Sequence, residues 1–157
     1  MRKAYKRAMA AALFVALVGL WGCNDDRTYD RYHDVNVSEW EHNDTVRFAI
    51  PRQWAGRYKM SVGVLANHEY PFQQLSLVVR THIIPSQRTI TDTVTIRITD
   101  SNGTPLGKPG ITSTELLSKV TQFDLKNSDS LYVTINHNMR QESVKGISSV
   151  GIRLTKE

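Results

Sequence analysis

Thr93-Val94-Thr95-Ile96-Arg97-Ile98-Thr99 alternates β-branched apolar residues with polar ones, one for one. Successive side chains of an extended strand point to opposite faces, so this run puts Val94, Ile96 and Ile98 on one face and leaves threonine and arginine to water. The same period recurs on both sides of it. Upstream it appears in Val46, Phe48 and Ile50, in Tyr58, Met60, Val62 and Val64, and in Leu75, Leu77 and Val79. Downstream it appears in Phe123 and Leu125, in Leu131, Val133 and Ile135, and in Val150, Ile152 and Leu154. Seven runs rich in Val, Ile and Thr predict antiparallel strands, each buried on one face.

The breaks between the runs carry turn chemistry. Pro51 closes the first run, Tyr70-Pro71 precedes the third, and Ile84-Pro85-Ser86 follows it. Asp100-Ser101-Asn102-Gly103 gathers residues that tolerate left-handed backbone angles. Thr112 to Lys119 reads differently: Thr114-Glu115-Leu116-Leu117 resembles the capped start of a helical turn. Seven strands with so little helix predict an all-β fold. The expectation is a single antiparallel β-sandwich with Greek-key or jelly-roll-like connections, over residues 44–157.

The chain in front of the sandwich is organised for export. Arg2, Lys3, Lys6 and Arg7 form a cationic stretch, and Ala8 to Leu20 are all apolar or small. Thirteen residues fall short of the roughly 20 that a membrane-spanning helix needs, so residues 1–22 read as a cleaved signal peptide. Leu20-Trp21-Gly22-Cys23 resembles a bacterial lipobox, in which the cysteine thiol is acylated and becomes the new N-terminus. Trp21 departs from that pattern, where a small side chain usually sits. Cys23 is the only cysteine, so no internal disulfide is open to it, and acylation removes a thiol that an oxidising compartment would attack. The expected partner of Cys23 is therefore membrane lipid, held through palmitoyl-type chains. Residues 23–43 are expected as the lipidated N-terminus and a tether whose later aromatics dock on the fold, Trp40 by packing.

Charge excludes one class of partner. The chain holds 20 Lys and Arg against 15 Asp and Glu. Residues 1–22 hold four of the basic residues and none of the acidic ones, which leaves 16 against 15. The basic character belongs largely to the leader, and no nucleic-acid partner is indicated.

Catalytic and metal patterns are missing. His33, His42, His68, His82 and His137 show none of the short spacings of zinc motifs. Asp100-Ser101-Asn102-Gly103 opens like a calcium loop, but the twelfth position is Ile111, which cannot ligate. There is no Gly-x-Ser-x-Gly elbow and no phosphate-cradling glycine loop. The carboxylate pairs Asp25/Asp26 and Glu39/Glu41 fall in the tether. The reading is a non-enzymatic protein without a cofactor. The densest polar-aromatic patch is Asn67-His68-Glu69-Tyr70-Pro71-Phe72, between two strands, where binding residues commonly sit. Asn67, Tyr70 and Phe72 are its candidate interaction residues, with packing at the end of the sandwich as the plainer role.

Several blocks together resemble the gliding-motility lipoprotein H (GldH) family of the Bacteroidetes. They are the lipobox cysteine, Tyr29 and Tyr32, Trp40, Asp44 to Phe48, the Asn-x-x-Tyr-Pro-Phe-x-x-Leu pattern of Asn67 to Leu75, Asp92-Thr93, Leu106-Gly107-Lys108, Met139-Arg140 and Val150-Gly151-Ile152. The resemblance implies a non-enzymatic lipoprotein of the outer membrane, facing either periplasm or surface. It would have protein partners in a gliding or linked secretion complex of the cell envelope. A different class, a cell-surface carbohydrate-binding lipoprotein, would need exposed coplanar rings drawn from Trp54, Tyr58, Tyr70 and Phe72.

Overall fold

The computed structural model describes residues 26–157; the expected signal peptide and Cys23 lie outside the described residues. Every regular element is a strand: β1 (Arg27–Asp34), β2 (Trp40–Glu41), β3 (Val46–Ile50), β4 (Gly56–Ala66), β5 (Gln74–Ile84), β6 (Arg88–Arg97), β7 (Lys108–Pro109), β8 (Thr114–Leu125), β9 (Ser130–His137), β10 (Ser143–Val144) and β11 (Ile147–Lys156). They form a five-stranded sheet in the order β1-β11-β4-β8-β7, a four-stranded sheet in the order β3-β9-β5-β6, and a short ribbon of β2 and β10. All pairings are antiparallel. The chain passes from one sheet to the other between β3 and β4, β4 and β5, β6 and β7, and β8 and β9. The architecture is the all-β sandwich that the alternation predicts.

The seven apolar rows meet between the sheets. Tyr58, Met60, Val62 and Val64 of β4 and Val150, Ile152 and Leu154 of β11 are fully buried from one side. Leu75, Leu77 and Val79 of β5, Val133 and Ile135 of β9, and Phe48 of β3 are fully buried from the other. Trp40 is also fully buried, and its indole Nε1 donates to the Asp44 carbonyl at 2.8 Å. On β6 an inward-facing Asp92 interrupts the apolar row, and burial pushes its carboxyl above the usual range. An inward-pointing carboxylate on a sheet's edge strand is a familiar obstacle to edge-on association.

Two stretches differ from expectation. Thr112 to Lys119 is not helical: β8 begins at Thr114 and pairs with β4 down to Leu125, opposite Gly56. The register slips by one residue between Met60 and Ser61, where Lys119 and Thr121 are the partners and Val120 is left over. That bulge changes which parity faces inward. Leu116 is buried before it, Phe123 and Leu125 after it. One twelve-residue strand therefore shows no single period in its sequence.

The second difference is at the front. Residues 27–43, expected as the end of a tether whose later aromatics dock on the fold, begin with a strand that belongs to the larger sheet. β1 runs beside β11, pairing Arg27 with Thr155 and Asp34 with Ser149. The outward side chains of β1 explain the attachment. Asp30 accepts a hydrogen bond from Arg153 Nε at 2.8 Å, and Asp34 accepts one from Ser149 Oγ at 2.7 Å. Between them Tyr32 lies flat across Gly151 of β11 and Gly63 of β4, which face each other in the register. Its hydroxyl donates to Glu115 Oε1 of β8 at 2.7 Å. A Cβ on either glycine would collide with the Tyr32 ring, so the two glycines form the groove that the ring fills. Burial, and then the bonded Glu115 carboxylate, drive the Tyr32 phenol far above its ordinary range.

Gly63→Val should force Tyr32 off the sheet and lower the unfolding free energy by about 1–3 kcal/mol, the usual cost of overpacking. The measurement is the urea midpoint; a wild-type midpoint would show that the ring does not occupy the groove.

Candidate interaction cleft

The candidate residues Asn67, Tyr70 and Phe72 lie on the connection from β4 to β5, at one end of the sandwich. All three line a cleft of about 610 Å³. Its other walls are the turn after β6, through Ile98, Thr99, Gly103 and Pro105, and the segment 110–114 before β8.

Each wall is built by local backbone satisfaction. Asn67 accepts from the Glu69 N–H through its own Oδ1 at 2.9 Å, an Asx turn. Its N–H donates to the Gly146 carbonyl at 2.8 Å, tying the loop to the turn that precedes β11. Gly146 has φ +85°, and a Cβ there would run into the backbone of Tyr70. Both the left-handed angle and the close approach require glycine. Tyr70 is buried, and its hydroxyl donates to the Gln74 carbonyl at 2.8 Å. Burial holds that phenol well above its ordinary range. Phe72 packs edge-on against Tyr70, centroids 5.7 Å apart and planes at 77°. The turn after β6 is held by Asp100, whose Oδ1 accepts from Asn102 and Thr104 at 2.8 and 2.9 Å. The carboxylate that opens the calcium-like sequence is thus occupied as a turn former.

The structure therefore brings the three residues together but divides their roles. Asn67 and Tyr70 spend their polar groups on the loop itself. Phe72, half-buried, together with exposed His68 and Gln73, presents the surface. Sequence reasoning missed the opposite wall, where Ile111 is fully exposed. An apolar residue between Gly110 and Thr112 is the signal that marked it; Ile111 drew attention only as a residue unable to bind calcium.

The lining of the cleft includes no carboxylate. Among the described residues no group of three or more His, Cys, Asp or Glu side chains is gathered closely enough to hold a metal ion. A mixed apolar and amide-lined recess of this kind suits side chains or backbone of a protein partner. The rings that a sugar platform needs are dispersed. Tyr58 is in the core, Tyr70 is buried perpendicular to Phe72, and Trp54 is exposed at the opposite end of the sandwich.

The histidine nearest to a special environment is His137, at the same end of the molecule as the cleft. It is fully buried, edge-on to Trp40 at 5.2 Å and to His42 at 5.1 Å. Desolvation, and secondarily the neighbouring His42, lower its imidazole below the usual histidine range, against a smaller pull from backbone groups of Trp40 and Glu142.

The GldH lipoprotein family model matches residues 27–154. The gliding motility lipoprotein GldH of Flavobacterium johnsoniae is 28% identical over 153 residues, covering 92% of this chain and 94% of the relative. Among solved structures, a family GH115 4-O-methyl-alpha-glucuronidase superposes at TM-score 0.45 with 10% identity, over 83% of this chain and 18% of that one. Eiger TNF from S. frugiperda superposes at TM-score 0.37 with 13% identity, over 82% and 91%.

Because the unfolded chain takes up a proton on residue 137 near pH 6.5 while the folded chain resists it, acid pulls the equilibrium toward unfolding. Stability should be unaffected by this group above that pH and fall below it, with a slope of up to about 1.4 kcal/mol per pH unit. Urea midpoints at pH 7.5 and 5.5 test this against His137→Gln, which should flatten the dependence. An identical pH response in the variant would refute it.

Proposed function

The chain belongs to the GldH lipoprotein family, and from that premise we propose that it is a lipid-anchored, non-catalytic component of a cell-envelope assembly serving gliding or the linked secretion system. Acylated Cys23 holds it to the outer membrane, and the cleft built by Asn67, Tyr70 and Phe72 receives a protein partner. The observation that carries this reading is the placement of the cleft. It lies at the end of the sandwich where β11 begins, whereas β1, the strand nearest Cys23 in sequence, starts at the other end beside Thr155. With strands rising about 3.3 Å per residue, the ten residues of β11 separate the two ends by roughly 30 Å. An anchor at one end leaves the other free to reach outward.

The anchor has a simple energetic basis. Each buried methylene contributes about 0.8 kcal/mol, so two or more acyl chains hold a protein almost permanently. Nothing in the recess calls for a reacting group, and its rigid loop and open apolar wall suit binding by shape.

Two substitutions separate anchor from cleft. Cys23→Ala should move the protein from the membrane to the soluble envelope fraction. A photocrosslinking residue in place of Phe72 should give a discrete envelope-protein adduct in cells, and one in place of Thr95, on the outer face of β6, should not. Adducts at neither position would remove the support for a partner at the cleft.

A further inference from the structure

The opposite end of the sandwich gathers exposed apolar side chains and exposed cations. The loop from β3 to β4 projects Trp54, whose surface is 78% exposed although it is the largest side-chain type. The end of β5 adds Ile84, 49% exposed, followed by Pro85 in the turn to β6. The loop from β8 to β9 lies between them: Asn127 Oδ1 accepts from the Ala55 N–H at 2.8 Å, and Ile84 pairs with Ser130. Cations surround these apolar groups. Arg52, Arg57, Arg88 and Lys126 are exposed, and Lys156 stands 6.0 Å from the Tyr58 ring centre. Asp26, Asp124, Asp129 and Glu157 are the acids here, Asp129 buried and accepting from the Lys126 N–H. Asp124 answers Arg57 at 3.9 Å, and Glu157 accepts from Gln122. The balance at this end is positive. At the far end Asp34, Glu39, Glu41, Glu69, Asp100, Glu115 and Glu142 outnumber Arg97, Lys108, Arg140 and Lys145, so charge is segregated along the strand axis.

The chain also fixes how far this end can stand from an anchor. Asp26 is held in place, its carbonyl accepting from the Lys156 N–H at 3.0 Å. Cys23 precedes it by three residues, which span at most about 11 Å when fully extended. That is close to a Debye length at physiological salt, about 8 Å. A lipid on Cys23 therefore keeps this end within the range of headgroup charge. Tryptophan prefers the membrane-water interface, where its ring is apolar on its body and its N–H is wet. Clustered Lys and Arg are drawn to anionic leaflets.

We infer that the end of the sandwich bearing Trp54, Ile84 and the surrounding arginines and lysines is a membrane-contact surface that seats on anionic lipid headgroups. The inference rests on the acylation of Cys23 proposed above. Trp54 acts as the interfacial wedge, Arg52, Arg88 and Lys126 as headgroup contacts, and the sandwich stands upright with its cleft presented away from the bilayer.

Fluorescence gives a direct test, because the chain after Cys23 has two tryptophans and Trp40 is sealed in the core. Mature protein is extracted from membranes, its N-terminal peptide weighed, and the protein reconstituted into phosphatidylethanolamine-phosphatidylglycerol vesicles with or without brominated acyl chains. The expected result is a blue-shifted component quenched by bromine, absent in Trp54→Phe and protected from aqueous iodide, with the Trp40 component unchanged. The charge-reversed Arg52→Glu, Lys126→Glu protein should lose most of that quenching while keeping its lipid. Acylated protein whose Trp54 stays iodide-accessible and unquenched overturns the contact surface and leaves the anchor standing. Equal quenching in purely zwitterionic vesicles overturns the anionic preference. An unmodified Cys23 overturns both the anchor and the inference built on it.

Discussion

One tyrosine ring decides where this domain begins. Tyr32 crosses two glycines on neighbouring strands and ends on a carboxylate of a third, so a single side chain from β1 spans the outer face of β11, β4 and β8. The Asp30–Arg153 and Asp34–Ser149 contacts on either side of it are of the charge-assisted kind, shorter and stronger than neutral hydrogen bonds. Together they hold an edge strand that has few buried apolar groups of its own. His33 stacks on Phe48 at 4.6 Å and links the same strand to the other sheet. The distance from Cys23 to the folded body, and hence which end of the body lies near an anchor, follows from this attachment.

The core was legible because seven segments alternate without a break, and all seven became strands of the two sheets. The eighth long strand was not, for a physical reason. β1 carries Arg27, Asp30, Arg31 and Asp34 among its eight residues, and its outward positions bond to neighbours across the sheet instead of meeting water. Charge that is paired across strands looks, in a sequence, like charge that is solvated. The bulge at Val120 produced the other misreading. A one-residue insertion turns a single strand into two half-patterns of opposite parity, and Leu116-Leu117 then looks like helix. Paired partners decide both cases, and partners distant in the chain are invisible to a local period.

At the cleft the sequence located the loop, and packing, the plainer of its two readings, describes Tyr70. Asn67, Tyr70 and Phe72 do line one recess, yet the two polar residues are what make the loop rigid. The turn residues Asn67 and Gly146 could be read as loop formers from type alone; that they brace each other across 79 positions could not. Family blocks that stand far apart in the chain thus converge. The Tyr32 and Val150-Gly151-Ile152 blocks form one structural unit, and the Asn-x-x-Tyr-Pro-Phe pattern forms another with Gly146, which lies outside the blocks.

The pairing of the first strand with the last also sets an order of events. Contacts between residues so far apart in sequence are slow to form, because the intervening loop must first close. β1 cannot find its place until β11 exists beside it, and β11 in turn is the inner neighbour of β4. A chain emerging N-terminus first, from a ribosome or through a narrow channel, therefore carries an incomplete five-stranded sheet until β11 is out. Until then β1 and β4 both lack the neighbour that the finished sheet places between them.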